Sequence, residues 1–237
     1  MQYLGHPLRH EIKYYINTGV YYTLRTRLKT VLQPDPNMVK EDGYLISSVY
    51  FDDVYNSAMQ EKQSGTCFRK KFRIRSYDRC DKVIKLECKH KFGEYISKTS
   101  ASLNREEYDS ILSGNYDFLL NRKETVCKEL AGYHKVSLMK PVVVVEYLRE
   151  AYIMHQGNVR ITFDKDISSS IGELDMFRED CATRRVLQKD LMVLEVKFDE
   201  FIPKQVLDIL RTEAMTDRCA ISKYVMCRSE KGRSLFR

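Results

Sequence analysis

Long apolar runs are missing from this 237-residue chain; none exceeds the stretch Val142 to Val145. A bilayer-spanning helix needs roughly 20 apolar residues, so none is expected. The N-terminus also lacks the apolar core of a signal peptide. Cysteines stand at 67, 80, 88, 127, 181, 219 and 227, and no pair has the two-residue spacing of a zinc knuckle or redox motif. Their odd number, and the apolar periodic segments that several occupy, fit buried free thiols in a reducing compartment. A soluble cytoplasmic protein is the expectation, with a separate membrane-protein partner left open.

Walker-type glycine-rich phosphate loops are absent. The five histidines (6, 10, 90, 134 and 155) show no metal-ligand spacing, and no Ser/His/Asp arrangement is evident. There is no internal repeat and no low-complexity tract. Only residues 33–43, with Pro34, Asp35, Pro36 and Asn37, read as an obvious loop, too short for a domain linker. Residues 1–237 are therefore expected to form one domain.

What the chain has in quantity is charge of both signs: 40 basic and 33 acidic residues, net +7. Such a mild excess favours anionic partners without naming one. The pattern says more than the total. Arg69, Lys71, Arg73 and Arg75 alternate with Phe72 and Ile74, and Lys85, Glu87 and Lys89 alternate with Ile84, Leu86 and Cys88. Arg9, Glu11 and Lys13 repeat the pattern early, Arg160, Thr162 and Asp164 later, and Glu195 and Lys197 near the end. Alternate side chains on a strand share a face, so each set lies on one side of its strand.

Eight strands are predicted, at 9–16, 44–52, 67–77, 82–90, 94–102, 140–153, 157–166 and 190–199. Tight connections at Tyr77–Asp81, Phe92-Gly93 and His155–Asn158 make their neighbours antiparallel. Helices are predicted at 18–31, 53–62, 104–113, 116–131 and 203–214, with Asn104 and Glu107 as a capping box. The simplest reading is a sheet with one apolar and one solvated face. Two features oppose it. Four like charges in one stripe repel one another unless fully solvated or bound to an anion. Eight antiparallel strands are also enough to close a barrel. With charges inside and apolar residues outside under helices, both the alternation and the amphipathic helices find a use. Eleven basic residues then point inward, together with Glu11, Glu87, Asp164 and Glu195. Arginine forks match phosphate oxygens and carboxylates hold a hard metal ion, so a triphosphate with Mg2+ or Mn2+ would complement that interior.

The segments carrying this pattern resemble a known family. RHEIKYYI at 9–16, SSVYFD at 47–52, FRIRSY at 72–77, KLECKHK at 85–91 and GEYISK at 93–98 are similar to the catalytic domain of the vacuolar transporter chaperone (VTC) polyphosphate polymerases, within the CYTH-like triphosphate tunnel metalloenzymes. EYLREAY at 146–152, NVRITFD at 158–164, LEVKF at 194–198 and SKY at 222–224 continue the series in family order over nearly the whole chain. The resemblance implies an α+β fold: a closed eight-stranded antiparallel β-barrel, the triphosphate tunnel, jacketed by helices. It implies phosphate-binding roles for Lys13, Arg73, Arg75, Lys89, Lys98, Arg149 and Arg160, and closure of the tunnel by Ser222 and Lys223. Glu195 would be the main metal ligand with Lys197 beside it. Glu11 and Glu87 are further candidates, Glu87 being equally a counter-ion of Lys85 and Lys89. Arg69 and Lys71 are as readily solvated as liganding.

Two departures bear on activity. Tunnel hydrolases often begin with alternating glutamates; here Arg9 takes the first such place, which favours the polymerase branch. Ala220 stands where the polymerase can carry a further lysine, and Arg218 is the nearest substitute. The expected activity is ATP-dependent polyphosphate synthesis, with a tunnel triphosphatase or a non-catalytic polyphosphate-binding module as alternatives. ATP and polyphosphate are the expected partners. No nucleic-acid partner is expected, because the inward stripes offer Tyr15 and Tyr77 at most as stacking surfaces.

Overall fold

The computed structural model describes residues 2–3, 6–178, 180–213 and 219–234. All eight predicted strands are present: β1 Arg9–Asn17, β2 Tyr44–Asp52, β3 Phe68–Tyr77, β4 Cys80–Phe92, β5 Tyr95–Leu103, β6 Lys140–Met154, β7 Val159–Ser170 and β8 Leu191–Phe198. Every pairing is antiparallel. The order runs β7, β8, β1, β5, β4, β3, β2, β6, and β6 pairs back onto β7, so the sheet closes into a ring. Closure removes the free edges of a sheet and creates an inside. The weakest seam lies between β1 and β5, where only Arg9–Ile96 and His10–Tyr95 are in register. There the His10 ring stacks on Phe198 with centroids 4.8 Å apart.

The connections follow from local chemistry. Asp78 and Arg79, both at φ 51°, make the tight β3–β4 hairpin in the left-handed turn that matches strand twist. Gly43 at φ +105° ends the 33–43 loop against β6, where a Cβ would sit 2.2 Å from the Arg149 carbonyl oxygen. That close approach brings the loop across one end of the ring. Its Gln33–Pro34 pair even joins the sheet edge beside Tyr152 and Ile153.

Among the described residues six α-helices jacket the ring: α1 Thr18–Leu28, α2 Ser57–Gln63, α3 Arg105–Leu112, α4 Thr125–Ser137, α5 Lys204–Glu213 and α6 Lys223–Ser234. Asn17 caps α1 through Val20, and Asn104 with Glu107 forms the predicted capping box on α3. Helix α1 ends at Leu28, three residues before the predicted 31, and two other helices differ from expectation. The segment 53–56 is a turn, because Asp52 and Asp53 turn their carboxylates onto the Ser57, Ala58 and Met59 amides and start α2 later. The segment 116–131 divides into a 3-10 turn at Asp117–Asn121 and α4, which runs on to Ser137.

The apolar faces point outward under the helices. Ile74, Leu86 and Cys88 pack beneath Leu119 and Leu130, and Ile161, Phe163, Leu194 and Val196 beneath Leu24, Leu28, Val206 and Leu210. Each fully buried aliphatic side chain contributes about 1.5–3 kcal/mol. The hydrophobic driving force is thereby met on the outside, which leaves the inner face free to be polar. No described helix is long and apolar enough to cross a membrane.

Candidate functional site

The inside of the ring is a cavity of about 830 Å³ lined by fourteen basic side chains and three carboxylates. Of the sequence-predicted residues, Glu11, Lys13, Arg73, Arg75, Lys89 and Lys98 line it. So do Arg149, Arg160, Glu195, Lys197, Ser222 and Lys223. Arg69 and Lys71 line it as well. Glu87 stands just behind the lining, and Lys85 turns to Ser102 at 2.6 Å instead of facing the cavity.

One stretch of wall is a lattice of ion pairs. Register places Glu195 of β8 opposite Lys13 of β1, and Lys197 opposite Glu11. Lys13 lies 3.4 Å from both Glu11 and Glu195, and Lys197 lies 2.6 Å from Glu195 and 3.5 Å from Glu11. Lys89 reaches across from β4 to Glu11 at 2.7 Å. Asp164 of β7 receives a bidentate fork from Arg149 at 2.6 and 2.7 Å and the ammonium of Lys223, which itself lies 3.9 Å from Glu195. Burial and the neighbouring Glu195 push the Glu11 carboxyl up, yet Lys13, Lys89 and Lys197 outweigh them and bring it to about 2. Burial likewise opposes ionisation of Glu195, but Lys197, Lys13, Lys223 and Arg149 hold it well below the usual carboxylate range. Burial, with Lys13 and Lys197 close by, draws Lys89 down to about 7 although Glu11 pairs with it.

Glu11 and Glu195 are thus ionised oxygen donors bridged by the ammonium groups of Lys13 and Lys197. A hard divalent ion such as Mg2+ or Mn2+ fits that donor set, with oxygen ligands on adjacent strands and mobile lysines that can yield to it. Glu87 is not brought to the pair. It lies two strands from β1 in the ring, bonded to Arg73 at 2.7 Å and Lys98 at 2.5 Å. Of its two proposed roles, this geometry is the counter-ion's, although to Arg73 and Lys98 and not to Lys85 and Lys89.

A second stretch has cations that make no direct ion pair with a carboxylate among the described residues, although Glu87 feels the charge of Arg75 and Glu61 those of Arg69 and Lys71. Arg75 is 7% exposed and hydrogen-bonds to hydroxyls, Ser48 Oγ at 3.4 Å and Tyr147 Oη at 3.0 Å, while its charge helps to lower the Glu87 carboxyl from a distance. Lys71 donates to Ser222 Oγ at 3.1 Å and sits 4.9 Å from the Tyr224 ring centre. Burial, followed by the positive charges of Arg69, Lys13, Lys89 and Lys62, pulls Lys71 down to about 7. Burial and the same crowding lower Lys62, whose next neighbours are Arg69, Lys13 and Lys91. The C-terminal segment closes over this stretch. Tyr224 donates to the buried Asp52 carboxylate, and the Cys219 amide donates to the Lys13 carbonyl.

Several lining residues carried weak sequence signals. Lys91 extends the β4 alternation and could have been found by it. Lys62 sits on a short helix with no period to expose it. Asp35, taken as part of a plain loop, pairs with Arg160 at 2.8 Å across one mouth of the tunnel. Tyr44, Tyr50 and Tyr147 line the cavity from β2 and β6, strands that read as apolar and did not show alternation. Their hydroxyls meet Arg160 at 3.1 Å, Arg73 at 3.1 Å and Arg75 at 3.0 Å. More tyrosines therefore face inward than the stripes suggested, but these three are buried and serve arginines instead of offering open stacking faces. Tyr15 is 40% exposed and does not line the cavity. Ala220 lines it without charge, and Arg218 lies outside the described residues.

The VTC domain model matches residues 8–230. No curated protein matches the chain. Among solved structures, a candidate adenylate cyclase of Bacillus halodurans is similar at 15% identity and TM-score 0.55, covering 92% of this chain and 96% of that one. A candidate adenylate cyclase of Vibrio parahaemolyticus is similar at 8% identity and TM-score 0.51, covering 93% and 97%. At these identities the likeness is one of fold: the ring of antiparallel strands around a central cavity.

Proposed function

The chain belongs to the VTC domain family, and on that premise we propose that it is a metal-dependent polyphosphate polymerase, transferring the γ-phosphate of ATP to a growing polyphosphate chain inside the ring. The observation that carries this reading is Arg75, a buried guanidinium whose hydrogen bonds go to hydroxyls, with Glu87 near enough to feel its charge but bonded to Arg73 and Lys98 instead. A buried cation left unpaired is costly, and a phosphate oxygen between Arg75 and Arg73 would relieve it. The further positive stretch of Lys62, Arg69 and Lys71 lies beside that point. A hydrolase acting on one triphosphate has little need of it, whereas a lengthening polyanion needs a continuous track.

Phosphoryl transfer asks for alignment and charge neutralisation more than for covalent chemistry from the protein. Arg73, Arg75, Lys89 and Arg160 hold the γ-phosphate, with Lys13, Lys98, Arg149 and Lys197 on the neighbouring phosphates. Glu195 and Glu11 would hold a Mg2+ or Mn2+ ion, which supplies charge neutralisation at the phosphate oxygens. A terminal oxygen of the acceptor chain attacks the γ-phosphorus in line. The new P–O bond forms as the bond to the β–γ bridging oxygen breaks, and ADP leaves. The acceptor terminus is already anionic, so no general base is required. Lys223 and Ser222 close the site, and the ring keeps bulk water from competing as acceptor.

Incubating the pure protein with ATP and Mn2+ and resolving the products on a polyphosphate-stained gel tests the reading. Long chains support the polymerase. Free phosphate without chains supports a triphosphatase instead. Tight binding without turnover supports a binding module, a reading favoured by the uncharged Ala220 in the closing segment.

A further inference from the structure

The outer face of β4 carries a second constellation, separate from the tunnel. Cys88 and His90 point outward from the strand, alternating with the inward Glu87 and Lys89, and α4 lays Glu129 over them. One ligand atom from each of Cys88, His90 and Glu129 lies within 4.8 Å of the other two. Cys88 is wholly buried and His90 is 2% exposed. The Glu129 side chain keeps 24% of its surface open, which provides a path for an ion.

The contacts around the three residues are those of ligand supports. Glu129 Oε1 lies 3.4 Å from Lys70 Nζ, while Oε2 is buried and has no hydrogen-bond partner. A buried carboxylate oxygen left unsatisfied is costly and calls for a partner. His90 Nε2 lies 3.5 Å from Thr99 Oγ1, the outer contact that a metal-bound imidazole makes with its remote nitrogen. The ring stacks parallel to Phe92, which fixes its plane. Sulfur, nitrogen and carboxylate oxygen form a zinc-type donor set, unlike the all-oxygen set inside the tunnel.

We propose that Cys88, His90 and Glu129 bind a zinc ion that fastens α4 to the outer face of β4. Zn–S bonds of about 2.3 Å and Zn–N or Zn–O bonds of about 2.0–2.2 Å place tetrahedral ligands about 3.3–3.8 Å apart. The three donors need to close by an ångström or so, a movement within reach of the Glu129 side chain. Lys70 keeps Oε1 and steadies the carboxylate. The fourth position is open to solvent water. Burial holds the Cys88 thiol protonated, with a pKa pushed up to about 12, so loading must release that proton to solvent. The ion would stiffen the strand whose other face presents Glu87 and Lys89 to the tunnel. Neither the site nor its test depends on what the tunnel catalyses. Motif searches by Cys–Cys or His–His spacing pass over it, because its ligands are one cysteine, one histidine two residues on and one distant glutamate.

The test is metal binding by the full chain in excess Mg2+, with Co2+ as a spectroscopic substitute for zinc. One zinc per chain is expected, together with a thiolate-to-cobalt charge-transfer band and a rise in Tm on loading. Cys88→Ser and Glu129→Gln should each weaken zinc affinity by about tenfold or more and abolish the Tm rise, while Cys67→Ser changes neither. Glu129→Gln replaces a partly exposed residue on a helix, so it keeps the test open if Cys88→Ser fails to fold. Absence of the thiolate band, or zinc affinity unchanged in a natively folded Glu129→Gln protein, overturns the proposal.

Discussion

On the β1–β8 side of the tunnel Lys13, Lys197 and Lys223 each reach a carboxylate directly, whereas on the β3 side the direct contacts of Arg75 and Lys71 are hydroxyls and an aromatic ring. The same ring of strands supports both arrangements, so the difference lies in what alternates along each strand. β1 and β8 interleave acids with lysines, and their register brings opposite charges face to face. β3 presents Arg69, Lys71, Arg73 and Arg75 in succession, and among the described residues only Arg73 of these four makes a direct ion pair with a glutamate. A paired wall is stable by itself and can hold a cation by exchanging its lysines for the ion. An unpaired wall is stable once an anion arrives. The contrast separates groups that organise the site from groups that wait for substrate.

The largest expected effect is on the paired side. Glu195→Gln leaves Lys13, Lys197 and Lys223 with one carboxylate fewer, and breaking a buried pair costs about 3–5 kcal/mol. Denaturant unfolding should show that loss, and turnover of ATP should disappear. Unchanged turnover would sink the metal assignment. Arg75→Met should behave in the opposite sense. Without ligand its stability should stay level or rise, because an unpaired buried charge is removed. Its affinity for tripolyphosphate, measured by calorimetry, should fall by the worth of a charge-assisted bond, about 1.5–3 kcal/mol. If Arg75→Met destabilises the free protein as Glu195→Gln does, the contrast between the walls is wrong. A smaller effect follows in the unaltered protein. Tripolyphosphate at about 100 times its Kd should add about 2.7 kcal/mol of stability, and added salt should diminish it.

The paired wall was the more legible in the sequence. Glu11, Lys13, Glu195 and Lys197 sit in short alternating segments, where parity alone assigns the face. The other alternating strands could be read for the same reason, since period-two patterning survives whether the polar face looks outward or inward. Parity fails where both faces are apolar or aromatic. Tyr50 and Tyr147 lie on β2 and β6, strands buried on both sides, so nothing in their pattern announced partners for Arg73 and Arg75. Asp35 was hidden in a loop whose path depends on Gly43 meeting the Arg149 carbonyl, a contact between residues far apart in sequence. Helix α2 began late because Asp52 and Asp53 competed for its first amides, an outcome set by side-chain geometry beyond the reach of residue preference.

The smallest predicted effect concerns Lys71 and sharpens the contrast by sign. Its pKa falls from the ordinary 10.5 to about 7 in the folded protein, by burial and by the surrounding positive charges. Below about pH 7 Lys71 is protonated in both folded and unfolded chains, and the folded state bears the full penalty. Between about pH 7 and 10 the unfolded chain holds a proton that the folded one has released, so stability rises with pH. Lys89, lowered to about 7, and Lys197, lowered by burial, add to the slope in the same sense although carboxylates pair with both, so Lys71→Met removes only the Lys71 share of the slope. Paired carboxylates such as Glu11, at about 2, contribute nothing to it, because their stability is lost only as the pH falls toward that value. Denaturant midpoints followed across this range should therefore climb in the unaltered protein and climb less in Lys71→Met. Saturating tripolyphosphate should flatten the climb, since a bound anion restores the charge on Lys71. A midpoint that falls with pH over the same range would give Lys71 the sign of Lys13, which Glu11 and Glu195 raise against its burial, and remove the unpaired wall from the argument.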